Sequence, residues 1–338
     1  MRAARLHAAR EIHIDEVPEP EAGRGEVLVR VRAVAICPSD LRLYQDGHAS
    51  GVVPDHPMIQ GHEFSGEVAA LGAGVPGPPV GTRVAVEPSW HCGQCDLCRS
   101  GHENLCRNVV FPSFPQRDGA LAEFIACPAF AVRPLPAAVS DIEGALIEPL
   151  GVGIHAVRLS QVAPEQAVAI LGAGTIGMCV MLVLRARGVQ RIALVEPIEA
   201  RQAWPRALGA DPVAASHEEL LRDGYEADVV FECSGDNAAV EQAMRLTRPA
   251  GRVIVVGIPH PDRVSFDSTI PRRRELTVIF SRRSRDTLEE AIELIASGRV
   301  DLSALPARRF ALEQTAAAME ATAARPGDML RAVVIPAG

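Results

Sequence analysis

Three reactive side chains stand early in the chain: Cys37, and His62 and Glu63 within Gly61-His62-Glu63. A fourth, Glu148, follows in the apolar run Ala145-Leu146-Ile147-Glu148-Pro149-Leu150. Thiolate, imidazole and carboxylate are the side chains that bind Zn²⁺, and three protein ligands with one open position make a catalytic site. Each residue has a plainer reading. A lone cysteine is usually a small buried hydrophobe, His62 would be a satisfied core histidine, and Glu63 a surface charge. A carboxylate in an apolar run is costly unless neutralised. A salt bridge would neutralise Glu148; a metal or its bound water is the favoured alternative.

A second cluster strengthens the metal reading. Cys92-Gly93-Gln94-Cys95-Asp96-Leu97-Cys98 is followed by Cys106. Four thiolates can close a tetrahedron around Zn²⁺ with no open position, which makes the site structural. The competing readings are unrelated buried cysteines or two disulfides. No export signal core is present, so clustered cysteines read as ligands. Two Zn²⁺ per chain are expected, one catalytic and one structural.

The third signal is a phosphate cradle. Val168-Ala169-Ile170-Leu171 reads as a short buried strand, then Gly172-Ala173-Gly174-Thr175-Ile176-Gly177 opens a helix running to Arg187. In G-x-G-x-x-G the first glycine makes the turn, the second admits a pyrophosphate and the third lets helix and strand pack. The helix N-terminus offers N–H groups and a positive dipole end. A strand at Ile192 to Val195 leads to Glu196, nineteen residues past Gly177. An acid there accepts from both adenosine ribose hydroxyls and repels a 2′-phosphate, so NAD is expected over NADP.

The elements that must position these groups fall into two parts. In the first, Val27, Val29 and Val31 face one way and Arg30 and Arg32 the other, the pattern of a half-buried strand. Short strands broken by Gly and Pro continue to Phe124-Ile125. From Val168 the pattern becomes βα units, with strands at Asp228 to Glu232, Arg252 to Gly257 and Leu276 to Phe280, implying a six-stranded parallel sheet. A helix begins at Asp286-Thr287-Leu288-Glu289, buries Leu288, Ala291, Ile292 and Ile295, and stops at Gly298. The tail to Ile335 is expected to rejoin the first part.

The 338 residues, 48% hydrophobic and 22% charged, suit two globular domains. A net charge of −8 argues against a nucleic-acid partner. Ala167 to Leu184 is uncharged and long enough to raise a membrane span, but the glycines at 172, 174 and 177 explain it better. The expectation is a cytoplasmic protein without a membrane partner.

These residues resemble the zinc-containing medium-chain dehydrogenases, and within them the sorbitol (L-iditol) dehydrogenase branch. The likeness runs through Cys37-Pro38-Ser39-Asp40, Gly61-His62-Glu63, the four cysteines, Ala145 to Leu150 continuing to Ala156, and the Gly172–Gly177 fingerprint. It implies a GroES-like, mostly β catalytic domain at 1–150 and 281–338, a doubly wound Rossmann NAD domain at 151–280, and a homo-oligomer, tetramer or dimer. It implies Cys37, His62 and Glu63 as ligands, with Glu148 on the metal or its water. Ile176, Glu196, Arg201, Val256, Gly257, Phe280 and Ser281 would line the NAD site. Glutamate at 148 marks the polyol branch; alcohol dehydrogenases carry a third cysteine there. Three departures stand out: Pro38 for a usual glycine, Arg42 where a proton-passing histidine is common, and Leu43 for an aromatic residue. The implied reaction is oxidation of a secondary alcohol of a polyol or sugar-like substrate. Ser39 would relay the proton or bond nearby backbone, and His155 reads as a packed core histidine. The rivals are a threonine-type or sugar-acid dehydrogenase with the same metal and cofactor, and a non-catalytic NAD-binding protein on this scaffold.

Overall fold

The computed structural model describes residues 1–48, 53–115, 117–259 and 261–336. The chain divides into two compact units: Met1–Glu148 with Leu288–Gly298 and Leu302–Gly338, and Pro149–Thr287 with Arg299–Asp301.

The first unit opens with strands β1 (Arg2–Ala8), β2 (Glu11–Glu16) and β3 (Glu26–Ala35), then helix α1 (Pro38–Asp46). Strands β4 (Met58–Ile59), β5 (Glu63–Leu71) and β6 (Arg83–Val86) follow. Helix α2 (Asp96–Arg99), β7 (Phe124–Pro128), β8 (Val132–Pro134) and the start of α3 (Asp141–Ser160) complete this stretch. The second unit holds β9 (Val168–Leu171), α4 (Thr175–Ala186), β10 (Ile192–Val195), α5 (Ala203–Ala207), β11 (Val213–Ala214) and α6 (His217–Arg222). It continues through β12 (Ala227–Glu232), α7 (Ala239–Leu246), β13 (Thr247–Val255), α8 (Thr269–Arg274) and β14 (Thr277–Phe280). The chain then returns to the first unit as α9 (Leu288–Ala296), β15 (Ala307–Ala311), α10 (Thr315–Ala323) and β16 (Arg331–Ile335).

In the first unit, one sheet runs β2-β1-β4 and a seven-stranded sheet runs β15-β16-β3-β5-β6-β8, with β7 also on β3. The alternation expected of β3 holds around Arg30, which is exposed between buried Val29 and Val31. It fails further on. Ala33, Val34 and Ala35 are all buried, where β5 and the returning β16 flank the strand. That antiparallel return, Val333 opposite Ala35, carries C-terminal residues back to the start of the chain.

In the second unit all six strands are parallel, in the order β11-β10-β9-β12-β13-β14. The order reverses between β9 and β12, the switch point at which such sheets bind ligands beyond their carboxyl ends. Strands β9 and β10 are buried at every residue, which is why they read as unbroken apolar runs. Helix α4 is buried on nearly all sides, and this accounts for the uncharged stretch from Ala167. Among the described residues no helix is long and apolar enough to cross a membrane.

The boundary between the units falls inside α3. Ser140 and Glu143 cap its start reciprocally, the Ser140 hydroxyl accepting from Glu143 N–H while the Glu143 carboxylate accepts from Ser140 N–H. Pro149 then removes a helical donor. Residues 281–287, expected in the first domain, lie with the second unit. Arg158 donates to the carbonyls of Arg285 and Asp286, and Thr287 stands directly over Gly151. Helix α9 buries Leu294 where Ile292 was expected, and Ile292 is half-buried.

Candidate functional site

Cys37 leaves β3 as the N-cap of α1, with Pro38 in the first turn. Proline suits that position because its missing N–H is an orphan there anyway, so Pro38 has a structural reason. Asp40, three residues on, accepts from Cys37 N–H at 3.2 Å. Its carboxylate is 2% exposed and also accepts from Gly61 N–H at 3.3 Å and from the Ser113 hydroxyl. One of its oxygens stands 3.5 Å from His62 Nδ1, ion-pair rather than hydrogen-bond range. Asp40 therefore ties three chain segments together at the point where Cys37 and His62 emerge.

Gly61 makes that emergence possible. Its φ is +93°, and a Cβ would lie 2.8 Å from Val34 Cγ1 and 3.2 Å from Leu121 N. The chain thus turns His62 and Glu63 into the interior. The His62 ring packs on Phe111 with centroids 4.9 Å apart. Glu63 begins β5 and is buried; its Oε1 accepts from Arg331 Nη2 at 2.9 Å. Arg331 starts β16 and also donates to the Ile36 carbonyl.

The ligand atoms of Cys37, His62 and Glu63 lie within 4.8 Å of one another. Glu63 Oε2 and His62 Nδ1 are buried with no hydrogen-bond partner. An orphaned buried carboxylate oxygen beside a thiol is what a Zn²⁺ ion would satisfy, and an imidazole whose Nδ1 faces Asp40 keeps Nε2 for a metal, so the donor set fits. Glu148 is outside that tight group. It is half-buried and electrostatically linked to the set: burial, then the Glu63 carboxylate, pushes its carboxyl up to about 8. Burial opposes a charged His62, yet Asp40 and Cys37 outweigh it and raise the imidazole well above its usual range. Burial, then Glu63, raises the Cys37 thiol. These groups hold protons that a cation would displace.

The other residues sort themselves around this set. Ser39 donates its hydroxyl to Cys37 Sγ at 3.2 Å. Arg42 is half-buried on α1. Leu43 is 2% exposed in the first unit's core, so the loss of an aromatic there is a packing change. His155 is buried in the second unit, and burial followed by Arg285 and Arg158 pushes it down to about 4, a neutral packed histidine.

The four-cysteine lobe is gathered around α2. Cys95 and Cys98 Sγ are 3.5 Å apart, Cys92 and Cys106 3.5 Å, and Cys95 and Cys106 3.9 Å. A tetrahedron with Zn–S of about 2.3 Å has edges of roughly 3.8 Å, whereas a disulfide needs about 2.05 Å. All eight cysteines are free thiols, which removes the disulfide alternative. Backbone N–H groups point at the sulfurs: Cys92 donates to Cys106 Sγ, Cys98 to Cys95 Sγ, Asn108 to Cys106 Sγ. Such donors, led by Gln94, lower Cys92 to about 6, while burial raises Cys98 to about 12.

In the second unit, the fingerprint glycines have separable roles. Gly172 has φ +100°, and a Cβ on Gly177 would lie 1.9 Å from the Gly172 carbonyl oxygen. A Cβ on Gly174 would meet nothing within 4 Å. The second glycine therefore faces open space at the N-cap of α4, where a pyrophosphate fits. Ile176 is in the first turn of α4. Glu196 is 4% exposed beyond β10, its two oxygens accepting from Ala173 and Ile198 N–H, both at 2.9 Å. Arg201 lies over the Trp204 ring. Val256 and Gly257 follow β13, both donating to the Glu232 carbonyl. Phe280 ends β14 at 60% exposure, and Ser281 N–H bonds the Val255 carbonyl. All stand near the carboxyl ends of the parallel strands or the loops and helix that follow them.

Asp40, Ser113 and Arg331 were not singled out as site residues from sequence. Asp40 carried a signal, an acid three residues past an N-cap. Ser113, at φ +71°, and Arg331 reach the site only through the fold.

A metal-type donor set and a four-cysteine lobe in one mostly β unit, with a fingerprint-bearing parallel sheet in the other, define the class of zinc-type dehydrogenases. Comparison with known proteins agrees. Residues 23–137 match the alcohol dehydrogenase GroES-like domain, and residues 175–297 the zinc-binding dehydrogenase domain. The chain is 34% identical to the sorbitol dehydrogenase of Bacillus subtilis, over 99% of this chain and 97% of that one. It is 35% identical to the L-idonate 5-dehydrogenase of Vitis vinifera, over 92% and 88%. An Escherichia coli oxidoreductase/dehydrogenase of unknown specificity superposes with a TM-score of 0.94 at 30% identity, covering 100% of this chain and 99% of that one. The chain belongs to the zinc-containing medium-chain dehydrogenase family and is an oxidoreductase.

Proposed function

We propose that the protein oxidises a secondary alcohol of a polyol or sugar acid with NAD, using a catalytic zinc held by Cys37, His62 and Glu63. The observation that carries this is the convergence of those three ligand atoms, with the buried Glu63 Oε2 left without a hydrogen-bond partner. The names of the relatives, a sorbitol and an L-idonate dehydrogenase, support the substrate class. When bound, the zinc supplies a Lewis acid for the substrate oxygen and the nicotinamide supplies the hydride acceptor.

The chain's own groups do the rest. Asp40 fixes the Cys37 turn and faces His62, which keeps the imidazole oriented. Arg331 holds Glu63 Oε1, leaving Oε2 directed to the metal. Glu148 supplies a further carboxylate to the metal or its water. Ser39 Oγ donates to the Cys37 sulfur and keeps lone pairs with which to accept a hydrogen bond from the substrate's hydroxyl; as a relay it would pass its own proton to water while taking the substrate's. Arg42 stays protonated and cannot take that role. Cys92, Cys95, Cys98 and Cys106 hold a second, structural zinc. Glu196 favours NAD because its buried carboxylate repels a 2′-phosphate.

The test is reduction of NAD and NADP measured with sorbitol, L-idonate and threonine. The expected result is a higher kcat/KM for a polyol or sugar acid with NAD, and a relative gain with NADP in Glu196→Ala. A preference for threonine or for NADP contradicts the reading.

A further inference from the structure

We propose that the β1–β2 hairpin carries a third, exchangeable site for a divalent transition-metal ion, held by His7, His13 and Asp15. Their ligand atoms all lie within 4.8 Å of one another, apart from both sets described above.

The hairpin's register explains the gathering. Arg5 pairs with His13 and Leu6 with Ile12, but the next pair is Ala8 with Glu11. His7 is therefore the extra residue of a bulge, a feature that re-aims a side chain. Alternation already places Arg5, His13 and Asp15 on one face, since Ala3 pairs with Asp15 and Arg5 with His13. The result is two imidazoles with centroids 4.5 Å apart. His7 Nε2 is 2.8 Å from Asp15 Oδ2, and His13 Nε2 is 3.1 Å from Glu11 Oε1.

The charges suit a cation. Asp15 and Glu11 are opposed by Arg5, whose second arm is anchored on the Pro57 carbonyl at 2.7 Å. With neutral imidazoles the cluster carries one net negative charge. Surface ion pairs alone stabilise little and give no reason for two imidazoles in contact; a shared cation does. Imidazole with carboxylate selects Zn²⁺, Ni²⁺, Co²⁺ or Cu²⁺ over Mg²⁺ or Ca²⁺. Side-chain exposures of 29% for His7, 25% for Asp15 and 53% for His13 leave the site open to solvent, so the ion exchanges. Ligand distances of about 2.0–2.2 Å need only small rotations of these exposed side chains.

Equilibrium dialysis of the zinc-loaded enzyme against free Zn²⁺, with metal counted per chain, tests this. The expected result is one ion beyond those retained without free zinc. His7→Ala and His13→Ala should each weaken that ion by at least about tenfold, a loss at the scale of metal-site lesions. The double variant should abolish it, with turnover unchanged, and His56→Ala, at an exposed histidine that pairs with Asp55 outside the set, should leave it in place. The proposal is overturned if no additional ion binds at any concentration reached. It is equally overturned if the ion survives in the double variant, or if His56→Ala loses it to the same degree.

Discussion

The four-cysteine lobe draws its ligands from positions 92 to 106 and orients them with neighbouring backbone N–H groups. The set at Cys37 is assembled differently. Cys37 comes from a helix cap, His62 and Glu63 from a turn entering β5, and the arginine on Glu63 from 268 positions away. Of the lobe's cysteines, Cys92 and Cys95 are half-buried and Cys98 and Cys106 buried, whereas His62, Glu63, Asp40 and Arg331 are all buried. A local cluster needs only spacing and its own metal to close. An assembled one needs the whole first unit folded before its ligands meet. Damage should therefore spread from fold to site at Cys37, and from metal to local structure at the lobe.

The largest expected effect breaks the assembled set at its far end. Arg331 and Glu63 are buried to 3% and 1% side-chain exposure. Arg331→Ala leaves a buried carboxylate without its partner, at a cost of roughly 3–5 kcal/mol. Denaturant unfolding should register that loss, and zinc counting should find the lobe's ion retained. Unchanged stability would mean Glu63 does not depend on its arginine.

A smaller change sharpens the comparison without unfolding anything. Asp40→Asn keeps the shape but removes the charge facing His62. Metal affinity at the Cys37 set should fall by about 10–100-fold, read as faster zinc loss to a chelator, while the lobe keeps its zinc. Equal loss from both sets would show that they are not independent.

A third effect, confined to acid pH, lies outside both sets and gives a control. His155 is lowered from 6.5 to about 4 by burial and by Arg285 and Arg158. Between those values the unfolded chain binds the extra proton. Stability therefore rises with pH through this window and is lost as pH falls from about 6.5 to 4, by up to roughly 3 kcal/mol. His155→Gln should flatten that acid slope and leave both metal contents unchanged.

The same contrast governs what could be read from the residues in order. The lobe was visible because its ligands are near neighbours. The fingerprint was visible because strand, turn and helix are consecutive, and Gly177 meets Gly172 within one turn. Cys37, His62 and Glu63 were visible as residue types, with the family resemblance assigning them as ligands. What supports them was less accessible. Arg331 is an ordinary strand residue until β16 pairs with β3, and Ser113 reaches Asp40 across 73 positions. The switch of residues 281–287 to the second unit depends on Arg158, a contact no local pattern signals. Strand β11, Val213–Ala214, completes the sheet with only two residues and has too little length to show a period.

The central claim is that the chain holds two zincs in independent sets, one of which does chemistry. Zinc per chain, measured with turnover and circular dichroism in Cys37→Ser and Cys95→Ser, tests it most directly. Cys37→Ser should keep its spectrum and the lobe's zinc while losing the other ion and its activity. Cys95→Ser should lose the lobe's zinc and lower the unfolding temperature. Two zincs and full activity in both variants would contradict the account.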